Sequence, residues 1–182
     1  AHVGWLAMEE DSIPPTRPPL RGPPTVLIVG RMDELGYKGH RDLITCWPRV
    51  LQAVPDAILR IAGRGPSLET FQRLASDVGV ASSVQFLGFV AEAQLPVLYG
   101  GADVFAMPSR GEGFGLVYIE AMRHSVPVVA SIHDAGSEVN IDAVTGFNVN
   151  LDRSNELADR IIDLLRDRGG AQRMGEAGQK RW

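Results

Sequence analysis

The 182-residue sequence predicts a doubly wound α/β domain, a parallel sheet with helices on both faces. Two observations carry this. Short apolar runs such as Thr25–Gly30 and Val126–Ala130 lack the polar alternation of a strand with one wet face, so they read as strands buried on both sides. Between the runs lie segments with apolar residues at helical spacing, so strand and helix alternate along the chain.

In order, residues 1–24 come first, with prolines at 14, 15, 18, 19, 23 and 24. Such a stretch forms neither helix nor inner strand and reads as an extended interdomain linker. Residues 25–182 read as the domain. Thr25–Gly30 is its first strand, and His40–Val54 a helix with Leu43, Ile44, Trp47, Val50 and Leu51 on one stripe. Pro48 lies within that helix and should kink or break it. Ala57–Ala62 is a strand, and Ser67–Val78 a helix with Leu68, Phe71, Leu74, Ala75 and Val78 on one side. Strand Ser83–Leu87, short helix Glu92–Tyr99, strand Ala102–Met107 and helix Leu116–His124 follow. Val126–Ala130 and Thr145–Val149 are further strands, and Asn155–Arg166 is an amphipathic helix. The end, Gly169–Trp182, continues in a helical pattern with no closing cap. Together with the front linker, this suggests a domain excised from a longer protein. The architecture is Rossmann-like, and ligands of such sheets bind beyond the C-terminal strand ends.

Composition narrows the function. Apolar content of 45% and charged content of 22% are ordinary globular values, and a net charge of −4 gives no basic character for nucleic acid. Cys46 is the only cysteine, which excludes an internal disulfide; it reads as a small buried hydrophobe, compatible with a reducing cytoplasm. No apolar run approaches the ~18 residues of a membrane helix. The four histidines, at 2, 40, 124 and 133, fall in separate segments without metal-ligand spacing, so no metal is expected. Hydrolase-elbow and P-loop patterns are absent.

Three loops at strand ends hold the chemistry. The first carries Arg31 and Lys38; Arg grips phosphate with two parallel hydrogen bonds and Lys adds a point charge, so the pair can offset a diphosphate without a metal. The second, Ala62-Gly63-Arg64-Gly65-Pro66, lacks the third glycine of a dinucleotide fingerprint, because position 68 is Leu, but Gly63 and Arg64 can line a base pocket. The third, Pro108-Ser109-Arg110-Gly111-Glu112-Gly113-Phe114-Gly115, runs into the helix that starts at Leu116. Its glycines allow close approach to a ligand, and the N–H groups of a helix start favour an anion. Glu112 and Glu120 are eight positions apart, and carboxylates accept hydrogen bonds from sugar hydroxyls. A glycine-rich strand-to-helix turn is also common in any α/β protein, with Glu120 merely complementing the helix dipole.

The order Val29-Gly30-Arg31, Lys38-Gly39, Ile61 to Pro66, Val84 to Val90, Pro108-Ser109, Glu112 to Gly115, Glu120-Ala121-Met122, Pro127 to Ala130 and Thr145-Gly146-Phe147 resembles the C-terminal, donor-binding domain of family 4 retaining glycosyltransferases, one half of a GT-B fold. The resemblance covers Val26 to the end, and the two glutamates reproduce the family's E-x7-E signature. It implies that Arg31 and Lys38 bind the donor diphosphate, that Glu112 is catalytic and faces the transferred sugar, and that Gly113, Phe114, Gly115 and Leu116 touch sugar and phosphate. Glu120 would hold the ribose hydroxyls, with Gly63, Arg64 and Val90 in the base pocket. The donor implied is a nucleotide-diphosphate sugar, with no cofactor and no metal. The acceptor, a glycan, lipid or small molecule, would bind a missing N-terminal domain; this chain alone would transfer nothing. A cytoplasmic enzyme, with peripheral membrane association as an option for the longer protein, fits. Alternatives are another GT-B enzyme, such as a sugar-nucleotide epimerase or a phosphorylase-like protein, and a non-catalytic nucleotide-binding module. Two departures stand out. The Arg31–Lys38 loop is longer than usual, and Ser125 replaces a customary glycine, which a slightly wider turn would absorb.

Overall fold

The computed structural model describes residues 22–33, 36–111 and 113–182. Most of the proline-rich segment, together with Glu34, Leu35 and Glu112, lies outside the described residues. Six strands form one parallel sheet: β1 Thr25–Val29, β2 Ile58–Ala62, β3 Val84–Gly88, β4 Val104–Ala106, β5 Val128–Ser131 and β6 Gly146–Val149. Their spatial order is β3-β2-β1-β4-β5-β6. The chain winds outward from β1 through β2 to β3, then returns to the other side of β1 for β4. The order therefore reverses between β1 and β4, and a crevice opens beyond the carboxyl ends of those two strands. The inner strands β1, β4 and β5 are buried almost throughout, as continuous apolar runs require; β3, at an edge, exposes Gln85 and Leu87.

The helices are α1 His40–Ala53, α2 Leu68–Asp77, α3 Leu95–Gly100, α4 Leu116–Arg123, α5 Gly136–Val139, α6 Glu156–Arg166 and α7 Arg168–Arg181. Helix α1 buries Leu43, Ile44, Trp47 and Val50, the stripe expected of it. The indole N–H of Trp47 donates to the Ser83 hydroxyl at 3.1 Å, which fastens α1 to the start of β3. Of the two outcomes expected at Pro48, a break does not occur: α1 runs through it to Ala53. The packing of the buried stripe on both sides of Pro48 outweighs the one helical hydrogen bond that proline cannot make. The expected helix at Glu92–Tyr99 divides into a 3₁₀ turn, Glu92–Gln94, and α3. Cys46 is partly buried, and burial pushes its thiol up to about 12, so it stays protonated.

Ser125 corrects the expectation of a wider turn. It closes α4 in the left-handed region, at φ 55°. Its N–H donates to the Met122 carbonyl at 2.9 Å, and the Val126 N–H donates to the Ala121 carbonyl at 3.1 Å. This is the tight Schellman closure, with serine at the position where glycine avoids a Cβ penalty. Ser125→Gly is therefore expected to stabilise the domain by about 1 kcal/mol, raising the melting temperature by roughly 2–4 °C. Calorimetry reads this directly, and an unchanged or lower midpoint contradicts the account.

Candidate functional site

The three loops singled out in the sequence meet at the β1/β4 crevice. Arg31 leaves the end of β1 and is exposed. Lys38 folds back toward the same strand end. A Cβ added at Gly30 would lie 3.0 Å from Lys38 Cδ, so the aliphatic stem of Lys38 packs closely over Gly30. The Lys38 ammonium lies 5.6 Å from the centre of the Tyr37 ring. Despite the length of the loop, both cations thus stand at one strand end.

The first and third loops are joined by backbone. The Arg110 N–H donates to the Tyr37 carbonyl at 2.7 Å. Gly39, at φ 84°, sits against Pro108 so closely that a Cβ there would collide with the proline's backbone oxygen and ring. Beyond the third loop, α4 begins at Leu116 behind Gly115, which holds the left-handed conformation at φ 68°, and its N-terminal dipole is directed at the crevice mouth. Phe114 and Leu116 are exposed there. Glu120 is one turn further along α4 and half-buried. Gly113 is exposed. Glu112, the proposed catalytic residue, lies outside the described residues.

The second loop is tied to the first by the Met32 N–H, which donates to the Arg64 carbonyl at 3.0 Å, and by the Ser67 hydroxyl, which donates to the Asp33 carbonyl at 2.9 Å. Gly63, at φ 142°, touches the Gly30 carbonyl where no Cβ would fit, and its N–H donates to Gly88 at 2.7 Å. The Arg64 guanidinium lies 5.2 Å from the Phe89 ring centre, over the ring, and Val90 is half-buried next to it. Gly63, Arg64 and Val90 therefore share the ends of β2 and β3, beside the crevice. Phe89, 65% exposed, entered the sequence reading only within the Val84–Val90 stretch and was given no role of its own.

Buried polar groups support the loops from behind. The Ser109 hydroxyl donates to the Asp134 carboxylate, and the other oxygen of Asp134 accepts from the Gly136 N–H at 2.9 Å, linking the third loop to α5. The Tyr118 hydroxyl donates to the Met107 carbonyl at 2.6 Å, holding α4 to the end of β4. His40, at the base of the first loop, is fully buried against Phe71; burial lowers it to about 4, so the imidazole is neutral. At the outer edge of the site Arg110 pairs with Asp152 at 2.8 Å. Among the described residues no group of His, Cys, Asp and Glu could hold a metal ion, and no helix is long and apolar enough to cross a membrane.

Known proteins are similar to this chain in sequence and in fold. A GDP-mannose-dependent α-(1-6)-phosphatidylinositol monomannoside mannosyltransferase of Mycobacterium tuberculosis is 40% identical over 164 residues, which is 86% of this chain and 42% of that enzyme. The chain thus spans less than half the length of this relative. A crystal structure of Anabaena HepE in complex with UDP and glucose superposes with a TM-score of 0.79 at 26% identity, over 88% of this chain and 43% of that one. The C-terminal domain of a glycosyl transferase group 1 family protein from Francisella tularensis superposes with a TM-score of 0.77 at 26% identity, over 88% of this chain and 85% of that domain. The model of the family "Glycosyl transferases group 1" matches residues 11–181. With nearly its whole length matched and the doubly wound half of a GT-B fold in place, the chain belongs to the glycosyl transferases group 1 family.

Proposed function

We propose that this domain binds the nucleotide-diphosphate sugar of a retaining glycosyltransferase, and that the longer protein transfers the sugar to a lipid or glycan acceptor held by a further domain. The observation that carries the reading is the convergence of Arg31, Lys38 and the start of α4 on one crevice, with Glu120 a turn away. Two cations and a helix N-terminus offset a diphosphate, which becomes more negative as it leaves, and they do so without a metal. Gly113, Phe114, Gly115 and Leu116 present backbone to sugar and phosphate. Glu120 accepts from the ribose diol, and Glu112 orients the transferred sugar. Gly63, Arg64 and Val90 border the base. A guanine base, with mannose as the sugar, is favoured by the GDP-mannose-dependent relative at 40% identity, and its phosphatidylinositol mannoside acceptor favours an acceptor at a membrane surface.

Calorimetric titration of the chain with GDP, UDP and ADP, each with and without EDTA, tests the reading. GDP is expected to bind best and equally in both conditions. Binding abolished by EDTA overturns metal independence, and absence of binding by all three overturns the nucleotide site. In the longer enzyme, Glu112→Gln is expected to lower turnover strongly while leaving GDP affinity near the parent's. An equal loss in both would move Glu112 from the sugar to the nucleotide.

A further inference from the structure

We infer that Tyr99, on α3, is a positioning residue that holds the Glu120 carboxylate in the orientation required for the ribose, a role that rests on the nucleotide reading above. The Tyr99 hydroxyl donates to Glu120 Oε2 at 2.6 Å across 21 positions of sequence. Tyr99 is itself 1% exposed. Its ring is clamped between Phe105 of β4, at 5.7 Å between centres, and His124 at the end of α4, at 5.6 Å and nearly parallel. The imidazole is fixed in turn, since His124 Nδ1–H donates to the Glu120 carbonyl at 2.8 Å. Side chain and backbone of Glu120 are therefore gripped from one aromatic layer.

The chemistry gives this contact a direction. Burial and the neighbouring carboxylate push the Tyr99 phenol far above its ordinary range, so it remains protonated and acts as a donor. A buried donor needs an acceptor, and Glu120 is the one the phenol has among the described residues. One carboxylate oxygen is thereby committed to the protein, and the side chain presents its remaining acceptor capacity toward the crevice without a search through rotamers. The same constraint sets what glutamine does at position 120. Its carbonyl must face Tyr99, which turns the NH₂ group toward the ligand, where ribose hydroxyls need an acceptor.

The test compares GDP with 2′,3′-dideoxy-GDP, which keeps the base and the diphosphate and lacks the diol. Calorimetry on the parent chain is expected to show GDP binding about tenfold tighter. In Tyr99→Phe, which keeps the clamped ring, the two ligands are expected to bind with similar affinity, with the dideoxy compound unchanged from the parent. A merely structural role would weaken both ligands together. If Tyr99→Phe keeps the parent's preference for GDP, the positioning role is overturned and the nucleotide site stands. If the parent binds both ligands equally, the Glu120–ribose contact fails, and the role of Tyr99 with it. If neither binds, the nucleotide reading itself fails. Should Tyr99→Phe not fold, proton NMR of the parent decides. The Tyr99 hydroxyl proton, assigned by its shift in Glu120→Gln, is expected to move on adding GDP and to stay in place with the dideoxy compound. A resonance indifferent to GDP overturns the role.

Discussion

Arg31→Ala combined with Lys38→Met is expected to weaken GDP binding by roughly a hundredfold to ten-thousandfold, since each cation contributes a charge-assisted contact of about 1.5–3 kcal/mol. Methionine is the better replacement at 38. It keeps an unbranched stem over Gly30, where the Lys38 Cδ now packs, and removes the charge together with its contact to the Tyr37 ring. Arg31 is exposed, so its loss costs the fold little. The double variant should therefore melt within a few degrees of the parent while losing nucleotide affinity. Raising salt should weaken parent binding more than variant binding, because screening acts on the charges the variant lacks. Equal affinity of variant and parent would show that these are ordinary surface cations.

Much of this site was legible because loop chemistry is local. Arg31 directly follows a buried strand, and a glycine-rich turn feeding Leu116 announces a helix start whatever surrounds it. The strand order was not legible. No residue in β1 says that β4 rather than β3 lies beside it; that follows from winding in both directions from β1. Pro48 does not break α1 because its cost is local while the payoff of the buried Leu43–Val50 stripe is tertiary. Ser125 did mislead. A polar residue in place of glycine suggested a looser turn, yet the backbone keeps the tight closure and serine bears the left-handed conformation. Tyr99 could not be read as part of the site at all. It closes a short apolar helix, and its meaning lies in one hydrogen bond to a residue on a different helix. Helix α5, of four residues, carries too little periodicity to see, and the Ser109–Asp134 link that ties it to the third loop was equally hidden.

Gly39→Ala should damage the fold and the crevice together. Two terms add. Gly39 holds φ 84°, which costs an L-residue about 1–2 kcal/mol. The new Cβ would also collide with the backbone oxygen of Pro108, an atom at the root of the third loop that cannot swing aside as a side-chain tip can. Forcing extra volume into a packed contact adds about 1–3 kcal/mol, for an expected total of about 2–5 kcal/mol in urea unfolding. Gly36→Ala supplies the control. Gly36 lies in the same loop at φ 63°, but a Cβ there meets nothing within 4 Å. It should cost only the conformational term, about 1–2 kcal/mol, and leave GDP binding intact. Relief of the collision in Gly39→Ala requires Pro108 to move away from α1, and the Arg110–Tyr37 hydrogen bond goes with it. The cations of the first loop and the helix start beyond the third then separate, so the fraction that remains folded should bind GDP more weakly than the parent. If Gly39→Ala costs no more than Gly36→Ala and binds GDP like the parent, the two loops are held together by something other than this backbone contact, and the crevice does not depend on Gly39.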